Sequence, residues 1–328
     1  PHRPARRRRQ ERFRLLHDRA DFVPALREAP DFDAFWAESL QALRSIPLGL
    51  ELERLDAYRE VPHFEIHELA FNGWDGQRIH GVLFLPKERA GPLPGLVRAH
   101  PGARGVGVNR GPDGVLGSEL RADRRYATFS PLIRGHAVDA PEVPFNHPWW
   151  GPIRSKESYA ARSWYLSMVR AYDCLLALDA WVDPDRILVA GGSQGGALAL
   201  AAAALEPRYK HCIAGCPSNA QTHELMHCYD GFGPSVGALP AGVTEEAADR
   251  ILSYFDPANL AARIRVPTTI GINIGDPTVH VLGPLACYTN LTRLDSGEKE
   301  FLTGLQPEHG SGERFQAREA ALLDHWAL

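Results

Sequence analysis

The run Gly191-Gly192-Ser193-Gln194-Gly195-Gly196 sets a hydroxyl among glycines, and its type and spacing suit covalent attack on a carbonyl carbon. A serine hydroxyl is a weak nucleophile until a neighbouring base takes its proton, and that base needs an acceptor to hold its tautomer. Ile187-Leu188-Val189-Ala190 reads as a strand running into the turn, and Gln194–Leu205 as an alanine-rich helix leaving it. Strand, sharp turn and helix form a nucleophile elbow, whose backbone angles a Cβ resists and whose close helix–strand approach leaves no room for side chains at 191 and 195. The competing reading is a glycine-rich turn whose serine merely caps a helix.

In sheets carrying such an elbow the acid follows at the end of a later strand, and the histidine lies in a loop before the last helix. Asp276 ends the strand-like Thr269–Gly275, and His309 sits in Pro307-Glu308-His309-Gly310-Ser311-Gly312 ahead of the final helix. Asp256 stands before Pro257 in a turn, and Asp295 lies in the Leu294–Gly297 hinge, where a helix cap accounts for it. His280 follows Asp276 too closely in the chain, and His325 falls within the last helix. Ser193, Asp276 and His309 are therefore the expected catalytic set.

The oxyanion formed during attack needs backbone donors, one from the residue after the nucleophile and one from an early strand-to-helix loop. Gln194 takes the first role. The second falls to His100-Pro101-Gly102-Ala103, and because Pro101 has no N–H, Gly102 or Ala103 must supply it, with Gly102 preferred. His223-Glu224-Leu225-Met226-His227 matches the H-E-x-x-H zinc pattern, but such short matches are common and no third ligand stands out. Cys212, Cys216 and the nearby Cys228 lack the usual metal spacing and are read as small core thiols. No metal and no cofactor is expected.

The elements that must position these groups alternate along the chain. Residues 31–44 carry Phe32, Phe35, Trp36, Leu40 and Leu43 at helical spacing, and His63–Ala70 with Arg78–Leu85 read as a hairpin that opens the sheet. Strands follow at Pro94–Ala99, Tyr126–Ile133, Arg186–Ala190, His211–Ala214, Thr268–Ile274 and Glu300–Thr303. Helices are expected near Ser158–Trp181, over Gln194–Leu205 and over Phe315–His325. This alternation predicts an α/β fold with a mostly parallel central sheet flanked by helices. Residues 136–157 hold four prolines and two tryptophans without periodicity, a long excursion expected to be functional or to form an interface.

The bulk composition narrows the class. Hydrophobic residues make up 44% and charged residues 23% of 328 residues, which suits a globular enzyme-sized body. Net charge is −4, yet the first nineteen residues hold eight arginines. With no basic-aromatic groove downstream, that run reads as a solvated arm over 1–24 rather than a nucleic-acid site, leaving 25–328 as one domain. No stretch reaches the length of a membrane helix, Gln10-Glu11-Arg12 follows the arginines where a signal core would be apolar, and five sparse cysteines suit a reducing compartment. The expectation is cytoplasmic, without membrane or nucleic-acid partners.

These residues together resemble the acetyl xylan esterases and cephalosporin C deacetylases of the α/β-hydrolase superfamily. The likeness runs from Asp31–Leu43 through Trp74-Asp75-Gly76-Gln77-Arg78-Ile79 to Asp183-Pro184-Asp185-Arg186 and Gly192-Ser193-Gln194-Gly195-Gly196. It covers the chain from about residue 25 onward. The family's R-G-Q motif is similar to Arg134-Gly135-His136, so Arg134 carries over as a brace of the site while the glutamine does not. Its H-E pair is matched by His309-Gly310, and its H-G-Y loop is replaced by His100-Pro101-Gly102. The resemblance implies an α/β-hydrolase fold, a serine carboxylic ester hydrolase removing acetyl groups from a sugar or another small molecule, and a hexamer or dimer contacted through 136–157. An acyltransferase or peptidase using the same three residues, and a zinc hydrolase at His223 and His227, are the alternatives.

Overall fold

A computed structural model describes residues 26–101, 122–133, 153–221 and 241–328. The arm at 1–24, most of the excursion at 136–157, and Gly102, Arg134, His223, His227 and Cys228 lie outside the described residues.

The described strands form one sheet of nine, β1 (Glu51–Arg54), β2 (Phe64–Asn72), β3 (Arg78–Pro86), β4 (Leu93–Ala99), β5 (Ala127–Pro131), β6 (Val182–Gly192), β7 (Cys212–Gly215), β8 (Thr268–Asn273) and β9 (Lys299–Gly304). Their order is β1-β2-β3-β5-β4-β6-β7-β8-β9. β1, β2, β3 and β5 pair antiparallel, and from β5 through β4 to β9 every pairing is parallel. The β2–β3 hairpin closes at Gly73–Gln77, where the Gly73 amide donates to the Gln77 carbonyl at 2.7 Å and Gly76 takes a φ of 76°. Only glycine adopts that angle without cost.

Parallel pairing requires crossovers, and these carry helices onto both faces. Seven α-helices are described: α1 (Phe32–Ser45), α2 (Ala160–Leu176), α3 (Gln194–Leu205), α4 (Glu245–Ser253), α5 (Pro257–Ala261), α6 (Leu282–Thr289) and α7 (Glu313–Ala327). β6 shows how the strand period divides the core. Ile187 and Val189 face the large cluster that also takes residues of α1, α2 and α3, whereas Leu188 and Ala190 face Phe315, Leu322 and Leu323 of α7. Tyr126 ties the second face together, its hydroxyl donating to the Leu323 carbonyl at 2.8 Å. In α3 every residue except Ala204 is buried, so its alanines and leucines have no polar stripe to present.

Several boundaries differ from the sequence reading. The helix expected through Trp181 stops at Leu176, because the Trp181 carbonyl instead accepts the Leu93 amide and begins the β4–β6 ladder at Leu93 and Val182. The hairpin does not open the sheet, since β1 pairs outside it; its four residues are all exposed and carry no apolar alternation to read. Helices α4, α5 and α6 were not expected either. For α4 a signal existed, because Thr244 accepts from the Ala247 amide through its hydroxyl ahead of Glu245 and Glu246. Asp295 caps no helix; it lies in a turn, where its amide donates to the Glu298 side chain at 2.9 Å.

The glycines of the elbow are not equivalent. A Cβ at Gly191 would lie 2.3 Å from the Gly195 carbonyl oxygen, one at Gly195 2.4 Å from that of Ala99, and one at Gly192 would meet nothing within 4 Å. Gly191→Ala should therefore cost about 3 kcal/mol of overpacking strain, while Gly192→Ala should stay within about 0.5 kcal/mol of wild type. Urea unfolding of the two variants checks this, and equal losses would refute the close-approach argument.

Candidate active site

β6 delivers Ser193 to the carboxyl end of the sheet and α3 leaves from it, so the chain must reverse there within one residue. Ser193 accordingly holds φ 59° and ψ −121°, a strained conformation for a residue with a side chain. Backbone bonds hold it in place: the Ser193 amide donates to the Gly215 carbonyl at 2.9 Å, and the Ser193 carbonyl accepts from Ser218 at 3.1 Å and from Ala197 at 3.2 Å.

The capping reading of Ser193 fails on geometry. Its side chain makes no cap hydrogen bond to α3, and its Oγ lies 2.9 Å from His309 Nε2. On the far side of the ring, Nδ1 lies 2.8 Å from Asp276 Oδ2. The three groups form one hydrogen-bonded chain, with the hydroxyl donating to Nε2 in the tautomer whose Nδ1–H donates to the carboxylate. Asp276 is 1% exposed, and a carboxylate taken that far from water must have its lone pairs met. Oδ1 accepts the Thr278 amide at 2.7 Å and the Val279 amide at 2.9 Å, and Oδ2 also accepts the Gly310 amide at 3.0 Å.

The loop that presents His309 is fastened by Asn273, the last residue of β8. Its amide donates to the Gly310 carbonyl at 2.8 Å and its side-chain Nδ2 to the Glu308 carbonyl at 3.1 Å, bracketing the histidine on both sides. Gly304 and Gly312 press on the same side chain: a Cβ on either would fall within 2.8 Å of Asn273 Oδ1. Asn273 was missed in the sequence because a strand-end asparagine carries no motif.

Gln194 is the first residue of α3, and first-turn amides have no acceptor within their own helix. The helix dipole adds positive potential at that point, which suits an oxyanion beside Ser193. A small cavity lined by Tyr159, Trp164, Tyr165, Asn219 and Phe255 borders Gln194. The rival acids are occupied otherwise. Asp256 caps α5, its Oδ1 accepting the Ala258 amide at 2.9 Å and the Gln221 amide at 3.1 Å. His280 accepts the Leu282 amide at 3.3 Å through Nδ1, and His325 is exposed at the end of α7 against Trp326.

Cys216 is buried as the sequence suggests, but it is not remote from the site. Its sulfur, an Asp276 oxygen and a His309 ring nitrogen lie within 4.8 Å of one another. Burial pushes the Cys216 thiol up to about 11, opposed by the Ser193 amide and the Ser311 hydroxyl, so it stays protonated and is no rival nucleophile.

The chain is similar to several known proteins. The model of the acetyl xylan esterase (AXE1) family matches residues 13–322. The acetyl esterase Axe7A of Xylanibacter ruminicola is 27% identical over 308 residues, covering 89% of this chain and 67% of that protein. The structure of an acetyl xylan esterase from Paenibacillus sp. R4 is 30% identical with a TM-score of 0.73, covering 93% of this chain and 96% of its own. Acetyl xylan esterase 1 from Thermoanaerobacterium sp. JW/SL YS485 covers 99% of both chains at 22% identity and a TM-score of 0.71, a likeness of fold. The fold is that of the α/β-hydrolases.

A fluorophosphonate probe should label the chain at Ser193 and fail on Ser193→Ala. Without the imidazole base, labelling of His309→Ala should slow by about 10²-fold or more. Mass-spectrometric mapping of the adduct to any other serine would contradict the assignment.

Proposed function

The chain belongs to the acetyl xylan esterase family, and from that premise we propose that it removes acetyl groups from an acetylated sugar through an acyl-enzyme on Ser193. It is a carboxylic ester hydrolase of the acetylesterase type. The observation that carries the mechanism is the Ser193 hydroxyl turned to His309 Nε2 instead of capping its own helix.

In the first half-reaction Ser193 Oγ attacks the acetyl carbonyl while its proton passes to His309 Nε2. Asp276, already bonded to Nδ1, holds the ring in register and stabilises the imidazolium that forms. The Gln194 amide donates to the oxyanion, and the sequence assigns the second donor to Gly102. Collapse breaks the bond to the alcohol, which leaves with the proton from His309. Water then enters and attacks the acetyl carbon while giving a proton to the same nitrogen, and collapse releases acetate as His309 returns that proton to Ser193 Oγ. Arg134 is assigned, from the family likeness, to bracing this site.

The assembly and compartment belong to the same proposal. A hexamer or dimer is expected from the family likeness, with light scattering as its check. The cytoplasmic placement is supported by Cys174, Cys212, Cys216 and Cys287, which are buried free thiols. No helix among the described residues is long and apolar enough to cross a membrane.

With p-nitrophenyl acetate, Ser193→Ala should lower turnover by about 10⁶ and Asp276→Asn by about 10⁴ through the wrong tautomer. Both should keep wild-type circular dichroism. Acetate release from acetylated xylo-oligosaccharides tests the sugar assignment, and turnover of the aryl ester alone would count against it.

A further inference from the structure

Cys216 follows β7 directly, and its amide donates to the Gly271 carbonyl at 2.6 Å, which holds the residue beside the relay. A thiol, an imidazole and a carboxylate thus converge, the first and last buried and the imidazole partly open to solvent. This donor set suits a borderline-soft divalent ion. Zinc takes sulfur at about 2.3 Å and nitrogen or oxygen at about 2.0 Å, which in a tetrahedron of one sulfur with nitrogen and oxygen separates neighbouring ligands by roughly 3.3–3.5 Å. The three ligand atoms lie within 4.8 Å of one another, so closure asks for a shift of roughly 1.3 Å, and if Nδ1 and Oδ2 are both ligands their 2.8 Å hydrogen bond must open.

We propose that Cys216, Asp276 and His309 form an inhibitory Zn²⁺ site that silences the enzyme by occupying the imidazole Ser193 requires. The proposal rests on the reading of Ser193, His309 and Asp276 as the catalytic relay. On binding, the cation displaces the thiol proton to solvent, and thiolate plus carboxylate then neutralise its two charges. His309 is the ligand that faces solvent, its side chain 34% exposed. Either ring nitrogen as ligand stops catalysis. Coordination through Nε2 uses the lone pair that accepts the serine proton, and coordination through Nδ1 drives the remaining proton onto Nε2, leaving a donor where a base is needed. Mg²⁺, which prefers six oxygen ligands, has no such fit.

The experiment uses the full chain stripped with EDTA and assayed on p-nitrophenyl acetate, each variant scaled to its own rate in EDTA. Micromolar ZnCl₂ or CdCl₂ should inhibit, EDTA should restore the rate, and millimolar MgCl₂ should do nothing. Cys216→Ser and Cys216→Ala should raise the half-inhibiting Zn²⁺ concentration by about 10- to 100-fold. Separately from turnover, Co²⁺ should give the wild-type protein and Ser193→Ala a near-ultraviolet thiolate charge-transfer band that Cys216→Ala lacks. Equal zinc sensitivity of wild type and Cys216→Ser overturns the proposal, as does a Co²⁺-loaded wild-type protein without the band, a result that needs neither variant to fold. A band in Ser193→Ala together with undiminished ester turnover by that variant would instead sink the catalytic reading while leaving the cation site standing.

Discussion

Where α3 starts, three backbones approach more closely than side chains would permit. Gly191 lies against the Gly195 carbonyl, Gly195 against that of Ala99 and Gly196 against that of Gly215, each with an imagined Cβ at 2.5 Å or less. These approaches lock the first turn of the helix onto β4, β6 and β7 at once. Ser193 is left no relaxed conformation, and a strain of about 1–3 kcal/mol is borne there because Gly215, Ser218 and Ala197 over-determine its backbone. The side chain that results points out of the turn rather than down onto the helix, which is what makes the hydroxyl available to a base.

The parallel half of the sheet then does the collecting. Strands β6, β7 and β8 all end at the same edge, so residues far apart in sequence meet there: Ser193 and His309 are 116 positions apart and Asp276 and His309 33. Asp276 is satisfied by three backbone amides besides the imidazole, so its charge is held by the loop's own geometry. Asn273 fixes the height of the histidine loop through one backbone and one side-chain bond. Cys216 reaches this edge for the same topological reason, since β7 lies between β6 and β8. One edge thus supplies both the proposed relay and the groups proposed to shut it down.

How much was legible depended on whether a residue's neighbours in sequence were also its partners. The elbow was, because glycine spacing and the Ala197–Leu205 run are local signals, and α3 begins and ends where the composition changes. The overlong helix before β6 shows the limit: apolar periodicity runs on to Trp181, but its carbonyl is claimed by Leu93 from another strand. β1 is invisible to pattern because its residues are all exposed and it is placed by pairing with β2, with Glu51 opposite Ala70 and Arg54 opposite His67. α6 carries Gly283 and Pro284 in its first turn and reads as loop, yet it is buried there among Leu282, Ala286 and Cys287.

By itself the sequence determined that a serine sits on a strand–turn–helix elbow, that an acid and a histidine follow in the order such a sheet requires, and that the chain resembles sugar deacetylases. These are properties of residue type, spacing and local backbone preference. Only the tertiary structure decided that the Ser193 hydroxyl bonds His309 rather than its own helix, that Asp256 is spent as a cap, that Asn273 braces the histidine loop and that Cys216 stands beside it. Apart from the local half of the Asp256 cap, its bond to the Ala258 amide, these are contacts between chain segments far apart in sequence, and such contacts are set by the order and direction of strands in the sheet, which no window along the chain contains.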